Sequence, residues 1–194
     1  MRLTKNDYIA KNIYIVITLF LTVMASWGKT SCAETHTRHT QTISGKVIHI
    51  SDGDTYDILT EGNITHRVRM LGIDAPEKGQ DFHRKATDYL KSLLYNQTVT
   101  IQFESTDRYG RLLAFTYLSD GREASHEMIR AGYAWHYLQY NQDDDLAQLE
   151  QEAREKKIGL WASPNPIEPW VERANRREEY KKESLHNRDS LQKP

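Results

Sequence analysis

Residues 69–77 read Arg69-Met70-Leu71-Gly72-Ile73-Asp74-Ala75-Pro76-Glu77. The stretch begins as an apolar strand, and because strands disfavour Asp and Pro, it predicts that the strand ends at Ile73. Asp74 and Glu77 then fall on a loop at the end of that strand, where a rigid scaffold commonly presents functional side chains. The same pattern is also typical of a simple polar turn. The rest of the chain decides between a functional loop and a simple turn.

The sequence around this stretch predicts five strands. Each candidate strand alternates or clusters apolar residues and is bounded by Gly, Asp or Asn turn signals. The first three are joined by short turns, so we expect them to form an antiparallel meander. The predicted strands are 42–50, 55–60, 65–73, 98–104 and 112–118.

Three stretches have apolar residues at spacings of three and four, which is typical of amphipathic helices. They are 81–94, 125–131 and 143–157. Gly159 follows the third helix, and we expect Trp161 to pack back onto the body of the protein. One helix between the third and fourth strands fits a five-stranded Greek-key barrel of the OB type with three helices.

The first 33 residues are typical of a secretory signal peptide. A basic start precedes the apolar run 13–25, and Ser31 and Ala33 place small residues before a cleavage site after Ala33. A membrane anchor is the alternative, but the run is short compared with the about 20 residues that a spanning helix needs. A lipoprotein would use Cys32, but Lys29 stands where a large aliphatic residue is expected. We therefore expect a secreted or periplasmic protein with no membrane association after cleavage.

The other domain limits follow from composition. We expect a flexible mature N-terminus at 34–41, a barrel domain at 42–161, a proline-rich extended strap at 162–173, and a charged, disordered or loosely helical tail at 174–194. Cys32 is the single cysteine of the chain, so the mature protein would fold without disulfides. We expect it to be a monomer.

The charge of the mature chain argues against binding nucleic acid by bulk electrostatics. The whole chain has 26 basic and 27 acidic residues, and residues 1–33 hold four of the basic and one of the acidic ones. The remaining chain therefore carries 22 basic and 26 acidic residues, a net charge of −4. A site for a polyanion must then be local, built from a few placed cations or a bound metal ion.

Two clusters of hard oxygen ligands follow predicted strand ends. The first is Asp52-Gly53-Asp54-Thr55, and the second is 74–77. Calcium prefers several carboxylate and carbonyl oxygens, which neither cluster supplies alone but both together could. Judged in isolation, Asp-Gly-Asp is as typical of an ordinary turn.

Two arginines complete the pattern. Arg69 lies inside an apolar strand, where it needs a carboxylate or a phosphate as partner. Arg111 follows Gly110 at the start of the fifth strand. Arginines and a metal ion can neutralise the charge of a phosphodiester in its transition state, and a glutamate such as Glu77 can take a proton from water.

Four motifs in this order make the chain resemble the staphylococcal nuclease, or thermonuclease, family as an exported bacterial member. They are 52–55, 69–77, 107–112 and Gly159-Leu160-Trp161, and they span nearly all of the chain that we expect to be ordered. The resemblance implies an OB-fold barrel with three helices. It also implies a calcium-dependent endonuclease that cleaves DNA and RNA and leaves 3′-phosphorylated ends.

The resemblance also implies roles for individual residues. Arg69, Glu77 and Arg111 match the catalytic arginine, glutamate and second arginine of the family. The calcium ligands would be Asp54, Asp74 and the backbone carbonyl of Ala75, with Asp52 in the outer sphere. Substrate contacts would come from Arg108, Tyr109, and either Tyr137 or Tyr140 as the ring that stacks on a base.

This sequence departs from the family pattern in places. The loop after Glu77 is shorter than in the staphylococcal enzyme, which leaves substrate preference open. The alternative function is a catalytically silent OB-fold module that binds nucleic acid. A weaker alternative is an export or adhesion protein in which Asp-Gly-Asp is only a structural calcium site. The presence of Arg69, Glu77 and Arg111 together with both metal carboxylates favours the enzyme.

Overall fold

The computed structural model describes residues 40–139 and 141–191. The expected signal peptide at 1–33, most of the expected flexible segment at 34–41, and Tyr140 lie outside these ranges.

Five of the strands described close into a barrel, which confirms the predicted OB-fold. The strands in chain order are β1 Gln41–Ile50, β2 Thr55–Thr60, β3 Ile64–Met70, β4 Ile73–Asp74, β5 Thr98–Thr106, β6 Leu112–Tyr117 and β7 Trp135–His136. Around the barrel the order is β1-β2-β3-β6-β5; β3 and β6 run parallel, and the other barrel neighbours are antiparallel. Closure leaves no free sheet edge.

The strand that leads to Asp74 is shorter than the sequence predicts. β3 ends at Met70 rather than at Ile73, and Ile73–Asp74 forms β4, which pairs with β7. The break lies at Gly72, whose φ of +78° is in the left-handed region that favours glycine. A Cβ added there would also come within 2.7 Å of Leu146 Cδ1. Asp74 is therefore held in a short ladder of its own rather than on a loop.

Four α-helices are present in the described part of the chain, one more than predicted. They are α1 His83–Leu94, α2 Ala124–Arg130, α3 Asp144–Glu155 and α4 Pro169–Leu191. The first three lie within two residues of their predicted limits. Two 3-10 turns, Glu61–Asn63 and Gly159–Ala162, complete the described elements.

The barrel core forms between the inner faces of the strands and the apolar faces of the helices. Tyr56 is fully buried and shares a hydrogen bond of 2.7 Å with Thr116 Oγ1, and burial raises the pKa of its phenol. From α1, Ala86, Leu90 and Leu94 are fully buried against this core. Leu90 and Leu94 each contribute about 1.5–3 kcal/mol through burial. This core fixes the strand ends from which the site is built.

A second, smaller apolar cluster lies at β7 and consists of Trp135, Ala153, Leu160 and Trp161. Trp161 is buried there, as predicted, with its ring edge-on to Trp135 at 4.4 Å between centroids. The partly buried Trp170 packs against the same cluster. The cluster therefore gives the C-terminal segment a place to attach.

The C-terminal segment differs from the prediction of a strap to residue 173 and a disordered or loosely helical tail. Residues 169–191 form a continuous helix that begins at Pro169, a residue well suited to a first helical position. Its first turns have tertiary contacts, whereas residues 177–188 are all exposed. The apolar periodicity of the tail is weak, so the sequence pattern did not indicate a packed helix. Among the described helices, none combines the length and the apolar character needed to cross a membrane.

Candidate active site

The predicted site residues that the structure describes line one cleft of about 750 Å³, with the exception of Ala75, which does not line it. It contains the side chains predicted for catalysis, for metal binding and for substrate contact. Four residues of α4, none of them predicted, line it as well. The lining residues used below are Asp52, Asp54, Arg69, Asp74, Glu77, Arg108, Tyr109, Arg111, Tyr137, Arg173, Arg176, Arg177 and Tyr180.

The turn between β1 and β2 presses against the segment after β4. Its Gly53 has no side chain, and a Cβ there would lie 2.7 Å from the Cβ of Ala75 and 2.9 Å from that of Ala86. The turn is closed by the N–H of Asp54, which donates to Asp52 Oδ1 at 3.1 Å. The N–H of Ala75 donates to Asp54 Oδ2 at 2.8 Å. The two oxygen clusters, which are separate in sequence, are thus brought into direct contact.

Arg69 binds both of these clusters. Its Nη2 lies 3.1 Å from Asp54 Oδ2 and 2.9 Å from Asp74 Oδ1. Its Nη1 donates to the carbonyl oxygens of Met70 and Ile73 at 2.6 and 2.9 Å. The sequence required a carboxylate or a phosphate as the partner of this strand arginine, and the structure supplies carboxylates. Arg69 therefore holds the two predicted metal carboxylates side by side and fixes the turn from Met70 to Ile73.

The carboxylates of this group are buried. Asp54 is 6% exposed and Asp74 is 1% exposed. Burial, together with the charge of Asp54, raises the pKa of Asp74, and the guanidinium groups of Arg173 and Arg69 act in the opposite direction. Burial and the neighbouring charge of Asp54 raise the pKa of Asp52 to about 7. The site thus concentrates negative charge and hard oxygen atoms in a small volume.

This donor set fits a divalent cation such as calcium, which takes carboxylate and carbonyl oxygens. In residues 40–139 and 141–191, however, no three His, Cys, Asp or Glu side chains are arranged as ready metal ligands. Both oxygens of Asp74 are already bound by guanidinium groups. A cation that binds Asp74 would therefore contact oxygens that already accept hydrogen bonds from Arg69 and Arg173.

Glu77 lies at the mouth of the cleft. Its N–H donates to Gln80 Oε1 at 2.7 Å, and Gln80 N–H donates back to the Glu77 carbonyl at 2.9 Å. Its side chain is 30% exposed and accepts a hydrogen bond of 2.6 Å from Arg173 Nη1. The backbone of Glu77 is therefore fixed, while its carboxylate remains within reach of solvent and of Arg173.

Arg111 and its neighbours form the other side of the cleft. Asp107 Oδ2 accepts from Arg111 Nε at 2.8 Å and lies 2.7 Å from Arg111 Nη2. Asp107 Oδ1 accepts from the N–H groups of Tyr109 and Arg111. Although burial acts against it, these hydrogen bonds lower the pKa of Asp107. The Tyr109 ring is exposed, and the guanidinium of Arg108 lies 4.9 Å from its centroid. The turn thus presents two cations and a ring toward the cleft.

The structure adds residues that the sequence reasoning missed. Arg173 binds Asp74 and Glu77, and Trp170 stacks on Tyr137 with centroids 5.1 Å apart and planes at 5°. The sequence signal for this segment was a tryptophan in a stretch rich in proline and charged residues. Tyr137 is the predicted base-stacking tyrosine that lies within the described residues.

The sequence of this chain is similar to those of known nucleases. The sequence model of a protein family described as Staphylococcal nuclease homologue matches residues 67–163. An uncharacterized endonuclease of Escherichia coli O157:H7 is 42% identical over 158 residues, which cover 81% of this chain and 95% of that protein. The chain belongs to the staphylococcal nuclease family.

Two further similar proteins are also named as nucleases. An uncharacterized endonuclease of Haemophilus influenzae is 44% identical over 124 residues, covering 64% of this chain and 69% of that protein. A micrococcal nuclease of Shigella flexneri is 38% identical over 136 residues, which cover 65% of this chain and 78% of that protein. The match to the staphylococcal nuclease family includes Arg69, Glu77 and Arg111, whereas α4 begins after it ends.

Proposed function

We propose that this chain is a calcium-dependent endonuclease that hydrolyses the phosphodiester bonds of DNA and RNA and leaves 3′-phosphorylated ends. Family membership and the names of the relatives support the coarser assignment of a nuclease. The observation that carries the finer proposal is the cleft, in which Arg69, Glu77 and Arg111 lie with Asp54 and Asp74.

In this proposal Glu77 is the general base. It takes a proton from a water molecule, and the water oxygen forms a bond to phosphorus while the bond from phosphorus to the 5′ oxygen breaks. A base at this place needs access to solvent, and the side chain of Glu77 is partly exposed at the mouth of the cleft. The phosphate then remains on the 3′ side of the cut.

The arginines stabilise the charge that develops on the phosphate oxygens. A guanidinium suits this task because it stays charged and donates paired hydrogen bonds. Asp107 orients Arg111 through two contacts to one carboxylate oxygen. Arg69 is positioned by two backbone carbonyls. Their positions are thus set before substrate arrives, which is the condition for electrostatic catalysis.

Asp54, Asp74 and the carbonyl of Ala75 would hold calcium, with Asp52 interacting through water. When bound, calcium would act as a Lewis acid that neutralises the negative charge of the phosphate and orients the attacking water. The buried carboxylates of Asp54 and Asp74, which lie side by side, support this assignment. Arg108, Tyr109 and Tyr137 would contact the substrate around the scissile phosphate.

We further propose that the protein is exported and that residues 1–33 are removed. The support is the basic start, the apolar run and the small residues before position 34. An exported nuclease would meet calcium at higher concentration than a cytosolic one. It would also fold without disulfides, as its mature sequence requires.

The proposed activity is tested by incubating the protein with supercoiled plasmid DNA and with a short RNA, each with calcium or with a chelator. We expect cleavage of both with calcium and none with chelator. A polymerase should extend the DNA ends only after phosphatase treatment, because a 3′-phosphate blocks extension. Binding of both nucleic acids without cleavage at any calcium concentration would instead support the silent binding module.

A further inference from the structure

The start of α4 binds two of the site carboxylates through one side chain. Arg173 Nη1 donates to Glu77 Oε1 at 2.6 Å and to Asp74 Oδ1 at 3.1 Å. Its Nη2 donates to Asp74 Oδ2 at 2.6 Å. These oxygens belong to the assigned base and to an assigned metal ligand. Although burial acts in the opposite direction, the hydrogen bonds to Asp74 and Glu77 raise the pKa of Arg173, which therefore stays charged.

One turn earlier, α4 covers the predicted base-stacking ring. Trp170 lies parallel to Tyr137 at the separation of a stacked aromatic pair. The same indole is edge-on to Trp135 at 6.0 Å and packs on the apolar cluster described above. One face of Tyr137 is thus occupied by a side chain of the same protein.

Further contacts fasten this segment to the loop that follows Glu77. Gln80 Nε2 donates to the carbonyl of Ile167 at 3.0 Å, and Arg176 Nη2 donates to that of Lys78 at 3.0 Å. Arg177 and Tyr180 also line the cleft, so α4 continues along it. The helix therefore lines one side of the cleft from Arg173 to Tyr180.

We propose that α4 is an autoinhibitory cap whose Arg173 is a built-in competitor of the divalent cation. The proposal rests on the function proposed above, because it concerns the same metal carboxylates. A guanidinium and a cation compete for the same oxygens of Asp74, so one leaves when the other binds. Trp170 and Arg173 are three residues apart on one rigid helical turn, so they leave together. Cation binding then frees Glu77 and one face of Tyr137 in the same step.

The first test is calcium titration by calorimetry on the full chain. In Arg173→Gln the competing charge is gone, and we expect calcium to bind about tenfold more tightly than in the parent. Arg173→Lys keeps the charge but loses the fork that bridges two carboxylates, so its affinity should lie between the two. Arg188→Gln makes the same chemical change on the exposed end of α4 and should leave the affinity unchanged.

The second test needs no variant and covers the case in which Arg173→Gln does not fold. Amide hydrogen exchange is followed in residues 169–176 of the parent protein with and without calcium. We expect faster exchange with calcium, because the first turns of α4 lose their contacts. Unchanged or slower exchange in this segment would overturn the proposal.

The outcomes separate this proposal from the proposed function. If the parent binds calcium and cleaves DNA but Arg173→Gln binds calcium no more tightly, the cap is refuted and the nuclease stands. If Arg173→Gln weakens binding of an oligonucleotide with calcium affinity unchanged, α4 is a substrate-binding wall and the cap is refuted. If neither protein binds calcium or cleaves, both proposals fail. Calcium binding by Arg173→Gln alone would support the cap.

Discussion

Replacement of Glu77 by glutamine tests the assigned base most directly. The change keeps the size of the side chain and leaves an oxygen that can accept a hydrogen bond from Arg173. It removes the negative charge and the ability to take a proton from water. The variant therefore separates proton transfer from the positioning of the loop, which depends on backbone contacts with Gln80.

The expected size of the effect follows from the surroundings of Glu77. A general base contributes roughly 10²–10⁴-fold to a rate, so kcat should fall by that factor. In the ion pair between Arg173 and Glu77 the side chains are 35% and 30% exposed, respectively. Solvent screening keeps the contribution of such a pair to the free energy of unfolding below about 1 kcal/mol. In a protein of this size that corresponds to a Tm decrease of less than about 4 °C. Catalysis should thus be lost with the fold intact.

The assay is single-turnover cleavage of a labelled oligonucleotide at saturating calcium, together with thermal unfolding and calcium titration. Glu61→Gln is the matched control, since Glu61 is exposed in a 3-10 turn and does not line the cleft. It should cleave at the rate of the parent. Cleavage by Glu77→Gln at that same rate would refute the assignment of Glu77 as the base.

Three more predictions concern the metal carboxylates, the packing of the turn and the export of the chain. Asp54→Ala and Asp74→Ala should each weaken calcium binding in calorimetry, since neither cluster has enough ligands alone; full affinity in either variant would place the site elsewhere. Gly53→Ala should lower the free energy of unfolding in urea by about 1–3 kcal/mol through overpacking, because its new Cβ would lie 2.7 Å from that of Ala75; unchanged stability would show that the two clusters are not tightly packed. The intact mass of the exported protein should correspond to a chain without residues 1–33, and a mature species that retains Cys32 would contradict this.

Much of the barrel and of the site could be predicted from sequence because the signals involved are local. Alternation of apolar residues predicted the barrel strands, and spacings of three and four predicted α1, α2 and α3. The candidate site residues lie in short motifs at the ends of these elements, as in 52–55 and 69–77. A closed barrel brings strand ends together, so the motifs fall into one cleft.

The sequence pattern was less informative where a non-local contact or a special backbone conformation decides the structure. The strand prediction ran on to Ile73 because apolar residues continue, whereas the left-handed turn at Gly72 ends β3 at Met70. The second guanidinium partner of Asp74 comes from Arg173, 99 residues further along the chain.

The C-terminal helix shows most clearly the difference between what local sequence signals predict and what non-local contacts decide. Its composition alone indicated a charged tail, because its apolar residues form no regular stripe. The helix is held by its first turns, where the indole of Trp170 packs on Tyr137 and Trp135 and the guanidinium of Arg173 binds the buried carboxylate of Asp74. Contacts made by only two side chains do not produce a periodic pattern of apolar residues in the sequence. The sequence by itself therefore determined the barrel and the motifs that meet in the cleft, and only the tertiary structure decided that residues of α4 line the cleft as well.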